Sequence, residues 1–165
     1  MWTDNSVFYQ IYPLGFCGAP FENDGNPVSR INKIYEWIPH IKKLGADAIY
    51  FSPVFESDTH GYNTRDYKKI DVRLGTNEDF AKLCHALKEN GIKVVLDGVF
   101  NHCGSFNKWL DRERIYENQE GYEKGAYISS DSPYRSFFKF NADEWPYNEK
   151  YDGWWGHNTL PKLNY

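Results

Sequence analysis

Three runs of apolar, β-branched and aromatic residues punctuate the chain: Val7-Phe8-Tyr9-Gln10-Ile11-Tyr12, Ala48-Ile49-Tyr50-Phe51-Ser52 and Ile92-Lys93-Val94-Val95-Leu96. Short runs of this composition predict buried strands. Between the second and third the pattern changes to helical spacing. Phe80, Leu83, Cys84 and Leu87 form a stripe, Thr76 and Asp79 have the spacing of a capping box, and Gly91 stands where a helix C-terminus needs a left-handed residue. The segment Tyr35 to Gly45 also reads as a helix, with Ile38, Ile41 and Leu44 on one face and Pro39 confined to the first turn.

Strands alternating with helices predict βαβ units and an α/β fold with a parallel sheet. The strand starts, near residues 7, 48 and 92, lie 41 and 44 residues apart. Units that long carry sizeable loops at the carboxyl ends of their strands, the face on which parallel α/β folds build their sites. After Gly104 the pattern turns irregular. Residues 104–165 hold 15 aromatics in 62 positions, among short Gly, Pro, Asn, Asp and Ser clusters. Two readings stay open for this stretch: a small accessory core held by large rings, or a platform of rings for stacking a ligand.

Composition narrows the chemistry. Nineteen basic residues against 23 acidic ones give a net charge of −4, which argues against a nucleic-acid or anionic-membrane partner. No apolar run approaches the roughly 18 residues of a membrane span. The start, Met1-Trp2-Thr3-Asp4-Asn5, shows no secretory leader, and three cysteines at wide spacing (Cys17, Cys84, Cys103) suit neither a disulfide framework nor a zinc site. A cytoplasmic location is the expectation.

Candidate chemistry gathers at the strand ends. The third run leads into Asp97-Gly98-Val99-Phe100-Asn101-His102, and the second into His60-Gly61-Tyr62-Asn63-Thr64-Arg65-Asp66-Tyr67. The latter loop offers an imidazole, a phenol, a guanidinium and a carboxylate, a set suited to a polyhydroxylated ligand. Structural roles compete with each reading, since ion pairs and satisfied histidines also collect there.

These motifs resemble a family. Phe8 to Pro13 (FYQIYP), Gly45 to Pro53 (GADAIYFSP), the HGYNTRDY loop and DGVFNH occur in the order and spacing of the α-amylase family, glycoside hydrolase family 13, while Leu160-Pro161-Lys162-Leu163-Asn164 resembles a motif of its neopullulanase and cyclomaltodextrinase branch. The resemblance implies a partial (β/α)₈ TIM barrel: its first three strands and intervening helices in residues 1–103, and an inserted subdomain in 104–165, ending before the fourth barrel strand. It implies an amino-terminal part of an enzyme that hydrolyses α-glucosidic bonds of α-glucans or maltooligosaccharides with retention. His60, Tyr62, His102 and Trp155 are implied as substrate-binding residues, with Trp154 beside them in the cleft wall. Asp97 supports the site without cleaving a bond, Asp66 shapes the loop, and Asn63 departs from an aspartate common at that position. Asn101 matches a residue that helps bind calcium in some members, although one asparagine cannot supply the roughly six to eight oxygens that ion needs, and no cofactor is otherwise expected.

A retaining glycosidase needs two carboxyl groups about 5–5.5 Å apart. In the family these follow the fourth and fifth strands, so no catalytic residue is expected within these 165 residues. Setting aside residues 104–165 leaves 103 residues, against the ~250 typical of a whole barrel. Two further expectations stand beside a fragment inactive on its own: a non-catalytic α-glucan-binding or interaction module, and self-association through exposed barrel edges.

Overall fold

The computed structural model describes residues 1–141 and 150–165. Its elements begin with β1 (Phe8–Ile11) and a single turn of helix, α1 (Pro13–Phe16). A 3₁₀ stretch, Arg30–Trp37, then runs into α2 (Ile38–Lys43) and β2 (Ala48–Phe51). A hairpin follows, β3 (Phe55–Ser57) and β4 (Thr64–Ile70), then α3 (Asn77–Glu89) and β5 (Lys93–Leu96). The last two strands are β6 (Gly153–Trp154) and β7 (His157–Pro161). The residues form two compact units, Met1–Glu56 with Lys68–Gly98, and Ser57–Tyr67 with Val99–Tyr165. The second unit thus takes in residues 57–67 as well as those from Val99 onward.

In the first unit the three apolar runs form one parallel sheet in the order β1-β2-β5, with Phe8 opposite Ala48 and Ala48 opposite Lys93. Only the central strand is buried as expected, at Ala48, Ile49 and Phe51. β1 and β5 each have one neighbour, and Phe8 and Lys93 stay exposed. Helical residues Ile31, Ile34, Ile38 and Ile41, spaced three and four apart, pack with Leu83 and Leu87 of α3 onto this sheet. Each such side chain contributes roughly 1.5–3 kcal/mol by leaving water. Leu44 does not join them. The helix ends at Lys43 and Gly45 turns the backbone left-handed (φ +75°), which leaves Leu44 exposed.

α3 begins as its sequence predicts. The Thr76 hydroxyl accepts from the Asp79 amide at 3.1 Å, and the Asp79 carboxylate accepts from the Thr76 amide at 3.0 Å. A feature the sequence pattern concealed lies just before it. Arg73 is fully buried, its Nε and Nη2 donating to the two carboxylate oxygens of Asp71 at 2.8 and 2.7 Å, and its Nη1 donating to the carbonyls of Pro20 and Phe21. The alternation Ile70-Asp71-Val72-Arg73-Leu74 has the look of a half-exposed strand, yet its charged residues face inward as a bidentate pair.

The second unit is mostly turns around an aromatic core. Cys103, Leu110, Ala126, Phe138 and Tyr151 are buried, and Tyr67, Trp109, Tyr127, Tyr134, Phe140 and Leu163 pack against them. Large rings replace regular structure as the source of buried area. Trp145 and Tyr147 lie outside the described residues. Among the described residues no helix is long and apolar enough to cross a membrane, and the three cysteines are free.

Candidate functional site

The loop between β3 and β4 is built by its own polar side chains. Asn63 is buried; its amide donates to the Thr59 hydroxyl at 3.0 Å and its carbonyl oxygen accepts from the Thr59 backbone at 3.2 Å. The Asp58 amide donates to the Asn63 carbonyl at 3.3 Å. Loop closure is therefore the part Asn63 plays here. Arg65 and Asp66, read from the sequence as loop residues, lie on β4. Successive strand residues point to opposite sides, so each finds its own partner: Arg65 pairs with Asp58 at 2.8 Å and Asp66 with Lys108 at 3.7 Å.

Residues 101–107 pack on this loop. The Gly104 amide donates to the Thr64 carbonyl at 2.8 Å, and a Cβ on Gly104 would stand 2.6 Å from the Asn63 carbonyl oxygen and 2.7 Å from an Asp58 carboxylate oxygen. His102, only 4% exposed, sits 2.9 Å through Nε2 from the Tyr62 carbonyl and 3.4 Å through Nδ1 from the Asn101 side-chain amide. A carbonyl only accepts and an amide nitrogen only donates. The neutral tautomer with its proton on Nε2 satisfies both. Burial lowers the His102 pKa and favours that neutral form. As placed, the single N–H of His102 already serves Tyr62, and a hydrogen bond from it to a ligand requires that bond to be exchanged.

The structure brings three of the expected residues into one chain of contacts. Trp154 stacks on the His102 ring at 4.9 Å and 19°, and Trp155 stacks on Trp154 at 4.3 Å and 11°. Trp155 is 82% exposed. It occupies the two-residue loop of the β6–β7 hairpin with Gly156, at φ +52° and +80°, the sign pattern of a type I′ turn. That position prefers Asn, Asp or Gly. A Trp there holds a large ring in water at a backbone cost, the kind of outlier from which a binding role is argued. Gly153 across the hairpin has no room for a Cβ because the His157 carbonyl oxygen lies against it.

Tyr62 is 41% exposed, with its ring 6.1 Å from that of His60, and its amide donates to His60 Nδ1 at 3.2 Å. Asp97, of the first unit, is half-buried and its amide continues the sheet by donating to the Phe51 carbonyl at 2.9 Å. Asn101 is exposed; its carbonyl accepts from Leu163 within the LPKLN run, while His102 forms a bridge with Lys162. Among the described residues no group of three or more His, Cys, Asp or Glu stands close enough to hold a metal ion. The Asn101 side-chain nitrogen is turned to His102, and no chemical step is assigned to a metal.

The arrangement presents aromatic faces and hydrogen-bonding groups. Known proteins accord with that chemistry. The α-amylase catalytic-domain model matches residues 10–165. An oligo-1,6-glucosidase of Heyndrickxia coagulans is 31% identical over 99% of this chain and 30% of its own length. An amylopullulanase of Thermoanaerobacterium thermosulfurigenes is 37% identical over 98% of the chain and 11% of its own. The solved cyclic α-maltosyl-(1→6)-maltose hydrolase of Arthrobacter globiformis, in complex with maltose, superposes with a TM-score of 0.71 at 33% identity over 99% of the chain and 38% of that protein. The chain thus spans less than two fifths of the length of each of these relatives. A match that runs along nearly every residue means that the chain belongs to the α-amylase family, glycoside hydrolase family 13, whose catalytic domain is a (β/α)₈ barrel.

Proposed function

We propose that the chain is the amino-terminal portion of an α-glucan-degrading, retaining glycosidase of the neopullulanase and cyclomaltodextrinase type, and that it supplies sugar contacts to that enzyme. In this reading β1, β2 and β5 are the first three barrel strands, and residues 104–165 form the subdomain inserted after the third. The observation that carries the proposal is the exposed Trp155 ring, held over Trp154 and His102 on a turn that disfavours it.

The chain's residues then act by position. Trp155 and Tyr62 offer ring faces to the apolar side of a pyranose, and His60 hydrogen-bonds to its hydroxyls. His102 contacts the sugar next to the scissile bond by exchanging its bond to Tyr62, and until then fixes the Tyr62 backbone. Asp97 supports the site, and Asp66 and Asn101 hold its loops. Bond cleavage by double displacement needs one carboxylate as nucleophile and one as acid and base. We assign both to chain beyond these 165 residues, and we place the enzyme in the cytoplasm.

The test is calorimetric titration of the 165-residue chain with maltotetraose, alongside hydrolysis of a chromogenic maltoside. Weak binding that falls in Tyr62→Ala, with no turnover, is expected. Retaining cleavage that depends on Asp66 or Asp97 overturns the assignment of the carboxylates, and maltotetraose binding untouched by Tyr62→Ala and Trp155→Asn overturns the site.

A further inference from the structure

The second unit contains a cavity of about 250 Å³, lined by Arg112, Tyr127, Tyr151 and Asn158 and not by Trp154 or Trp155. We propose that this cavity binds a phosphate-type oxyanion, either the free ion or the phosphoryl group of a sugar phosphate.

Its walls are preorganised. Arg112 lies between two non-glycine residues with left-handed backbones, Asp111 (φ +52°) and Arg114 (φ +56°). The buried Asp111 carboxylate ties this loop down, accepting from the amides of Ile115 at 2.7 Å and Tyr116 at 3.2 Å. Tyr127 is brought to the same place by backbone pairing. The Ala126 amide donates to the Trp109 carbonyl at 2.8 Å and the Tyr127 amide to the Leu110 carbonyl at 2.9 Å. That approach is so close that the Leu110 carbonyl oxygen leaves no room for a Cβ on Gly125. Strain and tight packing spent on aiming one arginine point to a purpose for it.

The lining decides the ligand class. It is almost wholly polar, so it lacks the apolar face on which a pyranose ring would stack. Among the described residues its one charged group is a guanidinium, no carboxylate lines it, and Arg112 makes no ion pair. Burial pushes the Tyr151 phenol up to about 12, so it stays protonated, and it donates to the Asn158 carbonyl at 2.5 Å. Arg112 donates to that carbonyl at 3.3 Å and also bonds to the Tyr151 phenol. The carbonyl is therefore satisfied and does not repel an anion, while two bonds leave donors over from the five N–H groups of a guanidinium. A fork of N–H donors in a small polar cavity is the geometry that recognises phosphate oxygens.

The 165-residue chain is titrated by calorimetry with inorganic phosphate, glucose 6-phosphate and glucose at constant ionic strength, and Arg112→Met and Arg112→Lys are compared with the parent. Phosphate binding that weakens about tenfold or more in Arg112→Met and less in Arg112→Lys is expected. Near-UV circular dichroism confirms that each variant keeps its aromatic core. Should Arg112→Met unfold, Tyr127→Phe takes its place, with a smaller loss expected. Tighter binding of glucose 6-phosphate than of phosphate identifies a sugar phosphate as the ligand, and equal or weaker binding identifies the free ion. Glucose binding as well as phosphate, phosphate binding indifferent to Arg112, or no phosphate binding by the folded parent overturns the proposal. None of these results bears on the Trp155 site, which maltotetraose titration tests separately.

Discussion

Replacing Trp155 by Asn separates the two things that residue does. In the turn, Asn is the better choice: a left-handed backbone costs an ordinary L-residue about 1–2 kcal/mol, and Asn visits it with little penalty. The structure therefore assigns the substitution a gain of ~1 kcal/mol from relief of φ +52°. Against this stands the stack on Trp154 at 4.3 Å, worth about 0.5–1.5 kcal/mol for a well-placed aromatic pair. Little burial is lost, because the ring is 82% exposed. The two contributions nearly cancel, and the unfolding free energy from urea titration should move by no more than ~1 kcal/mol in either direction. Sugar binding has no such compensation. A Trp buries roughly 150–250 Å² in full, and covering one face removes on the order of a third of that. At ~25 cal/mol/Å² this comes to ~1.5 kcal/mol, or about a tenfold rise in Kd for maltotetraose. A loss of stability above ~2 kcal/mol would show that Trp155 is a prop of the fold, and an unchanged Kd would show that its face meets no sugar.

Three other outcomes follow from the geometry. Arg73→Met strands the Asp71 carboxylate and two carbonyls in the core, so urea unfolding should show a loss of about 3–5 kcal/mol, with part recovered in the double variant Arg73→Met/Asp71→Leu; additive losses would refute the pairing. Gly104→Ala drives a methyl into the Asn63 carbonyl, costing about 1–3 kcal/mol, and should weaken maltotetraose binding with it by displacing the Tyr62 loop. For His102, burial depresses the folded pKa, so the unfolded chain takes up the proton first. Its contribution to stability is complete above about pH 6.5 and is lost as pH falls from there through the folded pKa. Denaturation midpoints measured from pH 8 to pH 5 should show that decline, and His102→Gln should flatten it.

What could be read in the sequence was whatever local chemistry dictates. The β-branched runs fixed three strands to within a residue or two, and Thr76, Asp79 and Gly91 fixed both ends of α3, because caps are decided by neighbours in the chain. Leu44 shows the limit of periodicity: its spacing suited the helix, but the chain had already turned at Gly45. β4 was hidden because Thr64 to Ile70 is polar, and strand character there comes from pairing with β3. Arg73, Asp58 and Asp111 were passed over for one reason. A charged residue in sequence reads as a surface residue, and only the geometry of its partner, a nearby opposite charge or a backbone group, reveals it as buried. In the site, motif matches singled out His60, Tyr62, His102 and Trp155, whereas the supports that hold them were unmarked: the Asn63 loop closure, the Gly104 approach and the turn beneath Trp155.

The second unit is assembled from two stretches of chain, residues 57–67 and 99–165, and this sets the order in which it can be made. The Tyr62 carbonyl meets its partner His102 40 positions later, and the Thr64 carbonyl meets the Gly104 amide at the same separation. On a ribosome the loop that carries Tyr62 emerges long before residues 102–104, which pack on it. Contacts of long sequence separation are slow because the intervening chain must be constrained before they form. α3 and β5, whose residues are translated between those two stretches, can meanwhile join β1 and β2, which precede both. The fully packed Tyr62 loop is thus a late product of synthesis, and in a nascent chain halted before residue 102 it should be open to proteolysis.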